Sequence, residues 1–174
     1  AHLPGRLNIE ADRMSRKFSD NTEWMLNKSV FQRITERFGM PQIDIFASRL
    51  NKQVDRYISW RPEPEAFAVD AFTVDWSQWD FYAFPPFNLV PMCLQKIQKD
   101  KANGIIVVPN WPTQAWFPIL KSMILEEPMI VHKSKTLLCQ PVSGIPHPLN
   151  NRLSLLCCRL GGDYTKSKAS HKGL

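Results

Sequence analysis

Residues 81–88 read Phe-Tyr-Ala-Phe-Pro-Pro-Phe-Asn, a short apolar run that ends in two prolines and an aromatic ring. Pro85 and Pro86 cannot donate to a sheet, and they hold the backbone extended. A strand must stop there, with Phe87 held at its carboxyl end, the side where open α/β sheets bind ligands. A ring so placed can stack on a nucleobase, a contact worth ~1–3 kcal/mol per base. Phe84 stands just before the prolines and offers no side-chain hydrogen-bond acceptor. Trp76, Trp79, Trp111 and Trp116, with Tyr82 inside the stretch, would surround such a site. They are read as core residues of a small sheet, and the Phe84–Phe87 cluster serves core packing as readily as a base clamp.

Other chemistries find no support. His2, His132, His147 and His171 are scattered, and none lies near a cysteine at zinc-finger spacing. The chain has no phosphate-binding GxxxxGK[ST] loop and no GxSxG nucleophile turn. Cys93, Cys139, Cys157 and Cys158 form no CxxC pair, so reduced, buried thiols of an intracellular protein are expected, in nucleus or cytoplasm.

The elements that must position the Pro-Pro turn follow from apolar spacing. Val30, Phe31, Ile34 and Phe38 share one helical face, with Gly39 as a left-handed stop and Pro41 beyond it. Ile43–Phe46 reads as a short strand containing Asp44. Residues 61–69, with Pro62 and Pro64, read as a loop, and 80–84 as a second strand. Val90, Cys93, Leu94 and Ile97 give another helical face, and 104–108 is the cleanest buried strand. Residues 112–125 can form a helix that Pro118 kinks. Residues 129–131 and 153–158 are further strands. This alternation predicts an α/β fold with a largely parallel sheet, in which the strands of Asp44, Phe84 and Val108 lie side by side.

The chain has 174 residues, 44% hydrophobic and 22% charged, which is enough for one domain with a real core. No apolar run reaches the ~20 residues a bilayer demands, so no membrane partner is expected. The net charge of +6 favours anionic partners, nucleic acid first. Residues 161–174 are small, polar and basic, and read as a disordered tail.

Two stretches carry resemblances. His2, Pro4, Gly5, Asn8, Ala11, Asp12, Ser15 and Arg16 resemble the end of the ribonuclease H domain of retroelement polyproteins. That resemblance implies a remnant over residues 1–20, with Asp12 as the last carboxylate of a Mg²⁺ site whose other acids belong to the intact parent. From the residues themselves, Asn8–Phe18 reads as a capped amphipathic helix. Pro85, Pro86 and Phe87 are similar to the Asp/Asn/Ser-Pro-Pro-aromatic motif of amino-methyltransferases. There the polar residue and the first proline carbonyl accept from the target amine, and the aromatic stacks on a flipped-out base.

The order Trp24, Phe31, Phe38-Gly39, Ile43-Asp44-Ile45-Phe46-Ala47-Ser48, Asn51, Asp75-Trp76, Val107-Val108-Pro109, then Thr113, Trp116 and Phe117 resembles phage-type Dam adenine methyltransferases over about residues 24–125. Together the two stretches resemble a polyprotein of DIRS-type, tyrosine-recombinase retroelements. The resemblance implies a Rossmann-like methyltransferase fold over residues 21–160 and S-adenosylmethionine as cofactor. Asp44 would lie near its methionine or ribose part, Asp70 would accept from its adenine amine, and Phe72 would pack on that ring. Phe84, Pro85, Pro86 and Phe87 would form the catalytic turn, degenerate because Phe84 replaces the polar residue. DNA or an RNA–DNA hybrid and the parent's other domains would be the partners. The rival expectation is an inactive structural or nucleic-acid-binding module linking ribonuclease H to a downstream domain.

Overall fold

Asn27 starts the first helix by accepting from the Ser29 amide at 2.8 Å, and Gly39 ends it with φ of 94°. The computed structural model describes residues 23–163. The expected helix over Asn8–Phe18, the residues 1–20 remnant and Asp12 lie outside the described residues. In chain order the elements are β1 (Met25–Leu26), α1 (Lys28–Phe38), β2 (Ile43–Asp44), β3 (Ile58–Ser59), β4 (Ala68–Val69), β5 (Phe81–Ala83), α2 (Val90–Asp100), β6 (Asn103–Pro109), α3 (Phe117–Met123), β7 (Met129–Val131), β8 (Leu138–Cys139) and β9 (Leu155–Gly161).

The main sheet has the order β2-β5-β6-β9-β7. β2, β5 and β6 pair in parallel, with Asp44 opposite Tyr82 and Ala83 opposite Ile106. The expected neighbourhood of the Asp44, Phe84 and Val108 strands therefore holds, and the Pro-Pro turn leaves β5 at its carboxyl end. The largely parallel sheet is met only in part. β9 pairs antiparallel with both β6 and β7, so the sheet is mixed. Leu155, Leu156, Cys157 and Cys158 are all buried, as a central strand requires. Burial on both faces is equally compatible with either strand direction, which is why the sequence pattern could not reveal the reversal.

Side chains of β6 alternate between two cores. Ile106 and Val108 face the side of α2 and α3, with Leu94, Ile97 and Leu120. Ile105 and Val107 face the side of α1, with Phe31, Ile34 and Leu155. Helices thus cover both faces of the sheet. Pro118 lies in the first turn of α3 and does not kink it: the helix begins at Phe117, where a missing amide costs nothing. All four cysteines are free, and Cys93, Cys157 and Cys158 are buried. No helix among the described residues is long and apolar enough to cross a membrane.

Gly161 and Gly162, expected in the tail, belong to the fold, and residues 164–174 lie outside the described residues. Gly161 pairs with Asn103 at the end of β9, and the Gly162 amide donates to the Ala102 carbonyl at 2.7 Å. A Cβ at Gly162 would sit 2.0 Å from the Ile97 carbonyl oxygen, a backbone atom that cannot step aside cheaply. Gly162→Ala is therefore expected to destabilise the protein by ~2 kcal/mol or more, the range of overpacked interiors. An unchanged midpoint in urea unfolding would refute that packing.

Candidate functional site

Asp44 ends β2, and Ala83 ends β5 beside it. The chain departs from both carboxyl ends and opens a cleft of about 490 Å³ between the departing segments. Asp44, Phe84, Pro85, Pro86 and Phe87 all line it, so the structure brings these sequence candidates together. One wall is the segment Glu23–Leu26, tied down by three side chains. Ser48 Oγ donates to Glu23 Oε2 (2.9 Å), Asn51 Nδ2 to the Trp24 carbonyl (3.2 Å) and Gln53 Nε2 to the Leu26 carbonyl (2.8 Å). Ser59, Trp60, Arg61 and Glu63 line the cleft beyond β3. Its charged lining is three carboxylates, Glu23, Asp44 and Glu63, against the single guanidinium of Arg61.

Asp44 is only 2% exposed. Its Oδ2 accepts from the Gln53 amide at 2.9 Å, while Oδ1 has no hydrogen-bond partner. Burial pushes its pKa up to about 7; the Gln53 and Phe46 amides pull the other way, and only the first reaches hydrogen-bond geometry. Tyr82 lies opposite Asp44 across the β2–β5 pair. Its hydroxyl is also buried without a partner, and its pKa is raised by burial first, then by the Asp44 carboxylate and Cys157. The third orphaned group is Trp24 Nε1. Among the described residues these three are the buried side-chain polar atoms lacking a partner, and all three residues line the one cleft. Buried polar groups are nearly always paired, so three unpaired ones on residues lining the same cleft are unusual.

The aromatic turn is packed rather than splayed. Phe87 is 4% exposed, with its centroid 5.4 Å from Trp111 in an edge-to-face contact and 6.1 Å from Phe84. Phe84 is the half-buried ring of the pair. Asp70 and Phe72 are not among the residues that line the cleft, although Ala71 between them does. Asp70 has a left-handed backbone (φ 64°), and its carboxylate caps the following turn by accepting from the Phe72 amide at 3.1 Å. Phe72 packs 5.7 Å from both Phe46 and Trp76. Trp76 is fully buried, its Nε1 donating to the Ala71 carbonyl at 2.8 Å, and Trp116 is buried too. Those motif residues serve as core.

Sequence reasoning missed Glu23, Tyr82, Trp60 and Glu63 as cleft residues. Tyr82 was legible only as a strand residue, because its orphaned hydroxyl appears once Asp44 is placed opposite. Trp60 is 65% exposed at the rim, and Ile58–Ser59 before it lacked the length to stand out as a strand. No group of His, Cys, Asp or Glu among the described residues could hold a metal ion. No protein-family model matches the chain, and no curated protein matches it either.

Proposed function

We propose that this chain is a segment of a DIRS-type retroelement polyprotein whose body is a Rossmann-like adenine methyltransferase domain. In this reading it keeps a cofactor cleft but has lost efficient transfer. One observation carries it: Asp44, whose Oδ1 is buried without a partner, lines a cleft at the carboxyl ends of two parallel strands, beside the Pro-Pro-aromatic turn. The strand order adds support, since β2, β5, β6 and β7 run one way and only β9 is reversed. The cleft volume lies in the ~300–1,000 Å³ range of small-ligand sites. Its carboxylate excess suits a cation, and S-adenosylmethionine carries both an ammonium and a sulfonium.

The residues fit that group. Asp44 would accept a hydrogen bond from it at Oδ1, and Glu23 and Glu63 would add negative potential. When bound, S-adenosylmethionine supplies an electrophilic methyl group. The Pro85 carbonyl is left to orient an incoming amine alone, because Phe84 has no acceptor. Phe84 also fills part of the space where a base would enter. The packed state of Phe87 against Trp111 favours a second reading, an inactive scaffold or nucleic-acid-binding module between ribonuclease H and a downstream domain. Nucleic-acid association belongs to both readings.

Calorimetric titration with S-adenosylmethionine separates them. Binding is expected for the unaltered chain, at least tenfold weaker for Asp44→Asn. Absence of heat with the unaltered chain at millimolar cofactor would leave the scaffold reading and remove Asp44, Asp70 and Phe72 as cofactor residues.

A further inference from the structure

The chain contains no acidic residue between Glu127 and Asp163. Its charged side chains there are Lys133, Lys135, Arg152 and Arg159, with His132 beside the first. Arg159 is consumed internally, bridging Asp80 at 2.9 Å and donating to the Phe38 carbonyl. Lys133, Lys135 and Arg152 are exposed, and Arg152 also makes an interaction within the fold. Hydrogen bonds gather them. The Asn27 side chain donates to the Thr136 carbonyl at 3.1 Å, which sets Lys28 beside the 132–136 loop. Asn150 Nδ2 donates to the Lys135 carbonyl at 2.9 Å, which brings the Arg152 turn to the same loop.

The place of this cluster in the fold is the carboxyl edge of the sheet. The 132–136 loop follows β7, which runs parallel to β6, and the Arg152 turn precedes the reversed β9. It is the same edge that carries the Pro-Pro turn, and the two share an apolar cluster in which Phe84 and Phe87 pack with Val131, Leu137, Leu138 and Leu149. A cationic ledge therefore adjoins a cleft whose lining is acidic. Lys28 also opens α1, whose first turn holds no acid. A cation there opposes the helix dipole, and the arrangement becomes favourable when an anion sits between them.

We propose that Lys28, Lys133, Lys135 and Arg152 form a phosphate-binding ledge that holds the backbone of a nucleic-acid strand along the carboxyl edge, next to the Phe84 end of the cleft. The proposal rests on the nucleic-acid association stated above and gives it a location. It assigns the phosphate contacts to the folded body, although Lys166, Lys168 and Lys172 supply three of the six net charges.

The test is anisotropy of a fluorescein-labelled single-stranded oligonucleotide from ~50 to ~200 mM salt. Each lost phosphate contact should lower the slope of log K against log salt by ~0.7. K133E/K135E is expected to lose at least ~1.4 of slope and more than tenfold in affinity at the low-salt end. K99E/K101E, at the far end of α2 beside the start of β6, serves as control and is expected to change little. An unchanged slope in K133E/K135E, with the loss appearing on truncation after Asp163, would move binding to the tail and overturn the ledge while leaving the association standing. No binding by the unaltered chain at low salt would remove the association and the ledge together. Phosphatidylserine vesicles captured with the same K133E/K135E sensitivity, and no oligonucleotide bound, would make the ledge a membrane surface and overturn the proposal.

Discussion

Phe84→Asn is expected to raise methyl transfer from labelled S-adenosylmethionine to DNA by about a hundredfold over the unaltered chain, the usual worth of one preorganised hydrogen bond at a transition state, ~3 kcal/mol. The physical reason lies in the direction of a lone pair. An exocyclic amine attacks well only if its hydrogens are held away from the methyl group, and two acceptors hold them. Pro85 keeps a carbonyl for one. Phe84 withholds the other, and its ring lies 6.1 Å from that of Phe87. Asparagine restores the acceptor and shortens the side chain in one step. A normal enzymatic rate from the unaltered chain would overturn this account of Phe84. A gain confined to Phe84→Asn, and absent from Phe84→Ala, would separate the acceptor from the space it opens.

Asp44 should make the ligand-free protein weaker as the medium turns alkaline. Its folded pKa of about 7 stands above the ordinary aspartate value of 3.8. The folded state therefore binds the proton more tightly than the unfolded chain. That stabilisation is fully present below about pH 4 and is lost as pH rises through about 7. A rise of that size corresponds to ~4 kcal/mol as an upper scale. Asp44→Asn, which cannot ionise, is expected to melt several degrees higher than the unaltered chain at pH 8 and to approach it as pH falls below about 4. Identical pH profiles for the two proteins would show that the carboxyl is not desolvated. The same substitution should weaken cofactor binding, so a variant that is more stable yet binds worse cannot be dismissed as misfolded. A cationic ligand would reverse the trend, since its charge replaces the proton on Asp44.

The parts legible from sequence were those in which one residue type fixes the outcome. Pro85-Pro86 had to end β5, and the spacing of Val30, Phe31, Ile34 and Phe38 had to make one buried helical face. The Ile-Ile-Val-Val run had to be buried on both sides, and it forms the centre of β6. Direction and length were less legible. β2, β3 and β4 have two residues each, too few for any alternation to register. The reversal of β9 left no mark, because its apolar residues satisfy neighbours of either sense. In the candidate site, Asp44 could be found as an acid inside an apolar strand, and the turn as a motif. Asp70 and Phe72 followed sequence order into a capped turn behind the cleft lining. The orphaned Trp24 and Tyr82 come from separate segments of the chain, and only tertiary packing could set both residues at one cleft.

The reversed strand also dictates when this fold can exist during synthesis. β9 is the last element made among the described residues, yet it sits between β6 and β7 and pairs along seven residues of β6. Until residue 161 leaves the ribosome, β6 has one open edge and β7 has no partner in the sheet at all. Such edges invite pairing with other chains. A nascent chain must carry this segment unfinished across its whole length, and a proteolytic cut before Leu155 would release a β6 edge made of Ile105, Ile106, Val107 and Val108. A cut that leaves the sheet whole falls on the far side of Gly162, where the backbone hydrogen bond to Ala102 has closed.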